Sequence, residues 1–387
     1  MNIEECKKVT VIGAGSMGHG IAQVALMAGF HVNLCDIKQE YLDAAETKMF
    51  ASLDKLASKE LLNTTLVNDI KTNKLSKYLE IAEAVKEADF IIEVTPEIQS
   101  IKTAALVEID QNAPKHAIIA TNTSTMDINM LAESIERKDK FFGMHYFNPP
   151  VLMKLVEVVK GNHTSAETAQ FARDYVKKAG KELIFAEKCT PGFIANRIGA
   201  PMDVYRCLLL DVDKVDPVDF DITMRNTGMK MGLYMLADFV GLDIQRDCMA
   251  HYEVVFGSDY QQCKTILKLI SENKLGKKTG EGFYIWPEKG LPEMDLSRFT
   301  NTLDPDIPYF IQANEATKLV EDGICTFEDC DKAIRFGFNA PGPIEYIQKF
   351  SPEVIADKLN YIADKYNKKI FKPTETIKRG GYLLEGQ

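Results

Sequence analysis

The fold is indicated by a short stretch near the start of the chain, Val9-Thr10-Val11-Ile12-Gly13-Ala14-Gly15-Ser16-Met17-Gly18. Four residues typical of a strand run into three spaced glycines, and a helical pattern follows. Gly13 permits a tight turn, Gly15 lets a diphosphate approach the backbone, and Gly18 lets the helix pack close to the strand. The free N–H groups and the positive dipole at the helix start attract an anion. The other loop residues predicted to face that anion are Ala14, Ser16 and Met17.

An acid follows the second candidate strand, His31-Val32-Asn33-Leu34-Cys35, at position 36. The carboxylate of Asp36 can bond the 2′- and 3′-hydroxyls of an adenosine ribose, and it repels a 2′-phosphate. The sequence therefore predicts NAD rather than NADP as the cofactor, a preference that the nearby Lys38 would soften. A tight turn without any ligand is the alternative interpretation of this loop.

Composition excludes several classes of protein. The chain has 387 residues, of which 45% are hydrophobic and 26% charged, and a net charge of -10. These are values of a globular protein, and the acidic balance disfavours a broad nucleic-acid surface. The chain lacks an apolar run of the roughly 18 residues that span a bilayer. Its eight cysteines are scattered, without a Cys-x-x-Cys pair, so we expect a reduced cytoplasmic protein without disulfides or a metal site.

Strand and helix patterns alternate over residues 8 to 187, which is typical of a parallel sheet covered on both faces. After Pro191-Gly192 the chain becomes helical, apart from a proline-containing linker at 287 to 308. We therefore predict an α/β, Rossmann-type doubly wound domain followed by two all-α helical domains. The predicted boundaries are 1–188, 189–290 and 300–387.

The two helical parts resemble each other. Asp331 lies 110 positions after Asp221, and Gly342 lies 110 positions after Gly232. A fixed offset through two landmarks indicates a duplicated helical module. Chance similarity between two acidic helices is the alternative.

Candidate chemistry follows two further strands. Thr121-Asn122-Thr123-Ser124 stands where sheet loops face a ligand, and His145 follows another strand and precedes Asn148-Pro149-Pro150. That turn can return the chain so that Glu157 lies beside His145. A histidine with a carboxylate partner is a suitable base for oxidising an alcohol when a nicotinamide takes the hydride. Taken alone, His145 fits a structural histidine better than a catalytic one.

Several motifs in order resemble the (S)-3-hydroxyacyl-CoA dehydrogenases, which include the 3-hydroxybutyryl-CoA dehydrogenases. The resemblance covers about residues 8 to 286. Its motifs are the glycine loop, Asn122-Thr123-Ser124, His145-Tyr146-Phe147-Asn148-Pro149, Met153-Lys154-Leu155-Val156-Glu157, Thr190-Pro191-Gly192-Phe193-Ile194-Ala195-Asn196-Arg197, Asp238-Phe239-Val240-Gly241-Leu242-Asp243 and Gly276-Lys277-Lys278-Thr279-Gly280-Glu281-Gly282-Phe283-Tyr284.

The resemblance implies a role for each matching residue. His145 is similar to the family's general base and Glu157 to its partner, while Ser124 and Asn196 match the groups that hold the substrate oxygens. Positions that match the cofactor site are Glu97, Lys102, Asn148 and Lys278. Positions that match contacts to coenzyme A are Ser52 and Lys59, although Lys59 is as easily a solvated lysine. The implied substrate is an acyl-CoA, in a short-chain form such as 3-hydroxybutyryl-CoA.

Two departures qualify the resemblance. Many members carry Pro-Met-Gly-Pro where this chain has Lys230-Met231-Gly232-Leu233, which leaves the acyl chain length open. The second departure is in length, because many members end near the first helical module whereas this chain continues through a second. Some relatives with two modules are fused to an enoyl-CoA hydratase, and hydratase activity is not expected here.

The second module lacks a counterpart of the Asn196 motif, so we interpret it as structural. It would replace a partner subunit within a monomer, and a homodimer is the alternative.

Two other functions remain open at this point. The β-hydroxyacid dehydrogenases share a glycine-rich loop but use a catalytic lysine on a helix, which the His145–Glu157 pair disfavours. A non-catalytic relative built on the same fold is disfavoured by the presence of Ser124, His145, Glu157 and Asn196 together.

Overall fold

The computed structural model describes residues 1–229, 231–299 and 303–383. The chain forms two compact units. The first comprises Met1–Phe193 and the tripeptide Gly323–Cys325, and the second comprises Ile194–Asp322 and Thr326–Gln387. Both helical stretches therefore belong to one unit, and the three predicted domain boundaries stay predictions.

A single eight-stranded sheet forms the centre of the first unit, with the strand order β3-β2-β1-β4-β5-β6-β7-β8. Neighbouring strands are parallel from β3 to β6, and β7 is antiparallel to β6. The order reverses between β1 and β4, the position where doubly wound sheets bind ligands. The predicted fold is thus confirmed. The strands are β1 (Lys8–Ile12), β2 (His31–Cys35), β3 (Leu75–Tyr78), β4 (Phe90–Glu93), β5 (Ile118–Thr121), β6 (Phe141–Tyr146), β7 (Leu155–Lys160) and β8 (Glu182–Ala186).

The antiparallel pair departs from an all-parallel sheet for a geometric reason. Only residues 147–154 connect β6 to β7. A parallel crossover needs about a dozen residues or more, so a shorter connection returns the chain alongside the strand it has just left. The chain therefore turns back at Pro149-Pro150, as the sequence suggested.

Helices cover both faces of the sheet, and apolar side chains fill the space between them. Buried examples are Val9, Ile21, Leu34, Phe90 and Met144. The helices of this unit are α1 (Gly18–Met27), α2 (Gln39–Ser58), α3 (Thr64–Asp69), α4 (Ile81–Val85), α5 (Gln99–Asn112), α6 (Ile128–Ala132) and α7 (Ala166–Lys178), and a π-helical turn spans Ile70–Lys74.

The second unit is helical. Its helices are α8 (Ala195–Asp211), α9 (Pro217–Arg225), α10 (Leu233–Val240), α11 (Leu242–Phe256), α12 (Lys264–Ser271), α13 (Ile307–Glu321), α14 (Phe327–Gly337), α15 (Pro343–Ile347), α16 (Pro352–Tyr366) and α17 (Glu375–Arg379). Helix α8 of the first helical stretch packs against α13 and α14 of the second. Helix α13 begins at Ile307, inside the linker that was predicted to extend to 308. Pro308 lies in the first turn of this helix, where proline is tolerated.

The 110-residue offset corresponds to a repeated piece of geometry. Asp221 of α9 accepts hydrogen bonds from the N–H groups of Tyr234 (3.0 Å) and Met235 (2.8 Å) at the start of α10. Asp331 of α14 accepts from the N–H of Ile344 (2.8 Å) at the start of α15 in the same way.

The offset also holds for the glycines beside these acids. A Cβ added at Gly232 would lie 2.2 Å from the Asp221 side chain, and one at Gly342 would lie 2.5 Å from Asp331. In both places the glycine lets an aspartate reach the next helix and satisfy its free N–H groups. Lys230, which stands where many family members have the first proline of Pro-Met-Gly-Pro, lies outside the described residues. No helix in the described part of the chain has the length and apolarity needed to cross a bilayer.

Candidate active site

The glycine loop leads from the end of β1 into α1, at the switch point of the sheet. Gly13 has a φ of +109°, and an added Cβ would lie 2.6 Å from the carbonyl oxygen of Val94. At Gly18 an added Cβ would lie 1.8 Å from the carbonyl oxygen of Gly13. At Gly15 it would meet no atom within 4 Å. Gly13 and Gly18 therefore serve the turn, whereas the space at Gly15 is open for a ligand to approach the backbone.

Asp36 stands at the end of β2, directly beside the glycine loop. Its Oδ2 accepts a hydrogen bond from the N–H of Ala14 at 2.6 Å, and its Oδ1 accepts from the N–H of Ile37 at 2.7 Å. Each carboxylate oxygen keeps a further lone pair, so both can still accept from ribose hydroxyls. The loop and this acid fit the adenosine diphosphate part of a dinucleotide.

A buried cluster of charges lies behind the loops that follow β4 and β5. The ammonium group of Lys102 contacts Glu93 at 3.1 Å and 3.2 Å, and both side chains are at most 1% exposed. It also donates to the carbonyl of Thr95 at 3.1 Å and lies 3.4 Å from Glu97. A buried carboxylate needs such partners because the interior solvates charge poorly. The placement favours a role for Lys102 in holding Glu97 over a direct contact with a cofactor.

Glu97 organises the loop after β5. Its Oε1 accepts from the Thr123 hydroxyl, from the N–H of Ser124 at 3.1 Å and from the Thr125 hydroxyl at 3.0 Å. Burial raises the pKa of Glu97, but these hydrogen bonds and the charge of Lys102 outweigh it, so the pKa lies below its usual value. An ionised Glu97 thus holds the backbone beneath the half-buried Ser124.

His145 and Glu157 face each other across the antiparallel pair β6 and β7. The imidazole Nδ1 lies 3.0 Å from Oε2 of Glu157, whose side chain is fully buried, while His145 is 8% exposed. The carboxylate favours the tautomer with the proton on Nδ1, which leaves the Nε2 lone pair to accept a proton. The predicted return of Glu157 alongside His145 is confirmed.

Two aromatic side chains surround the imidazole. The ring centroid of Phe147 is 4.6 Å from that of His145, and the centroid of Phe193 is 6.1 Å away. Phe193 adopts a φ of +53°, which side chains rarely tolerate, and it is 1% exposed. These two rings shield the His145–Glu157 pair from water. Asn148, in contrast, is exposed just beyond β6.

Three regions of the sequence match the 3-hydroxyacyl-CoA dehydrogenase family. The family's NAD binding domain matches residues 8–189, and its C-terminal domain matches twice, at residues 192–286 and 310–381. The mitochondrial hydroxyacyl-coenzyme A dehydrogenase of Sus scrofa is 37% identical over 285 residues, which cover 72% of this chain and 90% of the relative. A probable 3-hydroxybutyryl-CoA dehydrogenase of Bacillus subtilis is 36% identical over 291 residues, covering 74% and 99%.

This chain belongs to the 3-hydroxyacyl-CoA dehydrogenase family. Its cofactor is NAD, in agreement with the loop geometry. The crystal structure of 3-hydroxybutyryl-CoA dehydrogenase from Escherichia coli K12 superposes with a TM-score of 0.89 at 23% identity, covering 97% of this chain and 98% of that one. That similarity establishes a shared fold over nearly the full length of both chains.

Four of the predicted site residues in the first unit lie close to one edge of the sheet. Asp36 follows β2, Glu97 follows β4 and Ser124 follows β5, while His145 is the second-last residue of β6. The carboxyl ends of parallel strands share one edge, so these side chains line a common region. Their roles in the family member stay predictions.

Ser52 and Lys59 lie toward the carboxyl end of α2 in this family member. The amide of Gln23 donates to the Ser52 hydroxyl at 2.9 Å, while Lys59 is exposed at the C-cap. The second unit holds the other two predicted site residues. Asn196 lies half-buried in the first turn of α8, and Lys278 forms an ion pair with Asp243.

Two positions near the candidate site, Glu93 and Asn122, were given no role in the sequence analysis. Glu93 is the fully buried partner of Lys102, and it also accepts from the Thr121 hydroxyl at 2.5 Å. Asn122 accepts from the N–H of Tyr146 at 2.9 Å and so ties the end of β5 to the end of β6. An acid that closes the apolar strand Phe90–Glu93 is the signal that identifies Glu93, since a buried carboxylate demands a partner.

Proposed function

We propose that this chain catalyses the reversible NAD-dependent oxidation of (S)-3-hydroxyacyl-CoA to 3-oxoacyl-CoA. The observation that carries the proposal is the buried His145–Glu157 pair at the edge of the sheet that also carries the dinucleotide loop. The relatives from Sus scrofa and Bacillus subtilis, a hydroxyacyl-coenzyme A dehydrogenase and a probable 3-hydroxybutyryl-CoA dehydrogenase, have names of the same reaction class.

The glycine loop and Asp36 would hold the adenosine half of NAD. The open backbone at Gly15 receives the diphosphate at the start of α1, and Asp36 receives the ribose hydroxyls. Glu97, Asn148 and Lys278 are proposed as further contacts to the cofactor. When bound, NAD supplies the hydride acceptor for the alcohol carbon.

His145 would act as the general base. Its Nε2 accepts the proton of the 3-hydroxyl group, and the carboxylate of Glu157 stabilises the imidazolium that results. In the reverse direction the imidazolium returns the proton to the 3-oxo oxygen. Burial of Glu157 strengthens its effect because water does not screen the pair.

Ser124 and Asn196 are proposed to hold the substrate oxygens. A hydroxyl and an amide can each donate a hydrogen bond to the 3-oxo group without taking the proton from His145. Glu97 supports Ser124 through the backbone of the loop after β5. Ser52 and Lys59, seven positions and two helical turns apart along α2, are proposed contacts to coenzyme A.

We also propose that the second helical module takes the place of a partner subunit. The family's C-terminal domain matches twice within this chain, and α8 packs against α13 of the second copy. The repeated Asp221 and Asp331 caps support the duplication.

The reduction of acetoacetyl-CoA by NADH tests the proposed reaction, with the loss of NADH absorbance as the readout. We expect steady turnover with NADH and much weaker turnover with NADPH. In the forward direction, (S)-3-hydroxybutyryl-CoA should be oxidised and the (R) form should not. The absence of turnover with both acetoacetyl-CoA and longer 3-oxoacyl-CoA substrates would contradict the proposal.

A further inference from the structure

The first turn of α8 carries Asn196. Its N-cap residue, Ile194, makes no side-chain cap hydrogen bond, and its carbonyl accepts the first intrahelical bond from the N–H of Ile198 at 3.0 Å. Pro201 lies inside the helix and has no N–H. The missing hydrogen bond is the one that would reach back four residues to the carbonyl of Arg197. Side-chain contacts made by this turn therefore help to fix the direction of Asn196.

Arg197 makes those contacts with the second helical module. Its guanidinium group donates from Nε to Oε1 of Glu315 on α13 and stacks over the ring of Phe256, 3.9 Å from its centroid. Glu315 is 1% exposed, and its Oε2 accepts from Lys318 at 2.8 Å. Lys318 also donates to the carbonyl of Ile370 at 2.8 Å, so the carboxylate is fixed from both sides.

The pairing runs in one direction only. With the 110-residue offset, Glu315 corresponds to Tyr205 and Arg197 corresponds to Ile307. The first module therefore holds the arginine and the second module holds the acid, without a reciprocal pair at the equivalent positions. A generic contact between duplicated modules would be expected to occur twice.

We infer that Glu315 is a positioning residue for the active site: it holds Arg197 and thereby fixes the direction of Asn196 on the same turn. Adjacent residues lie 100° apart around a helix, so anchoring one of them sets the orientation of the other. The second module, which lacks the Asn196 motif, would thus take part in catalysis. This inference rests on the proposed role of Asn196 in holding the substrate oxygen.

Steady-state kinetics of the full-length protein with acetoacetyl-CoA and NADH test the inference. We expect Glu315→Ala to lower kcat about tenfold or more, because a displaced hydrogen-bond donor weakens transition-state stabilisation. Glu315→Gln keeps an acceptor for Arg197 and should recover part of the loss. The KM for NADH should stay within about twofold, since the cofactor loop is unchanged. Urea unfolding of each variant shows whether it is folded, and the Gln variant provides the result if the Ala variant is not.

The matched control is an ion pair at the other end of α8. Asp213 follows that helix and accepts from Lys365 at 2.7 Å and from the Tyr366 hydroxyl at 2.6 Å, both in the second module. Asp213→Asn also removes a charge between the modules but lies far along the helix from Asn196. We expect kcat within about twofold of wild type. An equal loss in the Asp213 and Glu315 variants would show general packing and overturn the inference.

A double variant separates positioning from other effects. If Glu315 acts through Asn196, adding Glu315→Ala to Asn196→Ala should cause no further loss of kcat. Additive losses would overturn the inference, as would a slow Asn196→Ala variant beside fully active Glu315 variants. Wild-type kcat in Asn196→Ala would remove the proposed role of Asn196 and the positioning role with it, while leaving the role of His145 to its own test.

Discussion

The position of His145 beside its partner acid follows from the sequence of two neighbouring strands and the turn between them. The six residues of β6 are buried, the connection at 147–154 is too short for a crossover, and Glu157 falls directly opposite His145. The buried Glu157 lies 3.0 Å from the ring, and this contact is the basis of the proposed role of His145 as a base. Sequence reasoning could anticipate this pair because both residues lie on adjacent strands joined by a recognisable turn.

The pairing of Glu93 with Lys102 could not be anticipated in the same way. Their pairing depends on how far α5 leans over the end of β4, which no spacing rule supplies. Lys102 was predicted from a family resemblance as a cofactor contact, but its ammonium group is enclosed by Glu93, Thr95 and Glu97. The charge of a lysine is visible in a sequence, whereas its burial is a property of the packed structure.

Asp36 carries the prediction on cofactor choice. Replacing it with Ala should weaken NAD binding about tenfold or more, because hydrogen bonds to a charged acceptor are lost. Removal of the negative charge should also improve the relative use of NADP. The measurement is kcat/KM with each cofactor.

Asp43→Ala is the matched control for the Asp36 variant. Asp43 is a surface acid of α2 that pairs with Lys77 at 2.7 Å, so its loss removes the same charge from a side chain bonded to Lys77 rather than to the glycine loop. We expect an unchanged cofactor ratio for that control. An unchanged ratio in Asp36→Ala itself would remove this residue from the ribose site.

At the level of elements, the strands were predicted best where they are apolar. β2 has the predicted bounds, His31–Cys35, whereas β3 was missed. The residues of β3, Leu75-Ser76-Lys77-Tyr78, contain no β-branched side chain, and the strand forms the edge of the sheet. Edge strands are often short and charged, which hides them from pattern analysis.

The aspartate that joins α9 to α10 predicts a pH dependence of stability. Burial raises the pKa of Asp221 to about 6, despite hydrogen bonds from Tyr234, Tyr284 and Met235. The unfolded carboxyl ionises near pH 3.9, so between these values the unfolded state loses its proton first. Ionisation then favours unfolding, and this contribution to stability is lost as the pH rises from about 4 to about 6.

Asp221→Asn isolates that contribution because the amide does not titrate. Relative to this variant, the wild-type free energy of unfolding should fall by about 2 kcal/mol between pH 4 and pH 7. The single tryptophan, Trp286, is buried beside Asp238 in the helical unit and provides the fluorescence signal. Parallel pH profiles for the two proteins would contradict the raised pKa.

At the scale of the whole molecule, the sequence predicted a Rossmann-type domain followed by two helical modules that pack together within one chain, and the domain boundaries stay predictions. The 110-residue offset indicated two helical modules, and both belong to one compact unit in the structure. The tripeptide Gly323–Cys325 belongs to the first unit, and the carbonyl of Ile324 accepts from the N–H of Glu187 at 2.7 Å. Such long-range contacts follow from packing rather than from periodicity.

An internal replacement for a partner subunit predicts the mass of the protein in solution. With α8 covered by α13 of its own chain, we expect a monomer of 43.4 kDa in sedimentation equilibrium. The same result is expected over a wide range of protein concentrations. A stable species of twice that mass would favour the homodimer and would contradict the replacement.

Turnover of acetoacetyl-CoA by a His145→Gln variant tests the central claim most directly. Loss of the base should lower kcat by at least about a hundredfold, because general acid–base catalysis contributes that much or more. NADH binding, measured by fluorescence titration, should be largely unchanged, since the glycine loop and Asp36 are intact. Retained turnover, or an equal loss of turnover and NADH binding, would show that His145 has a structural role and contradict the proposed enzyme.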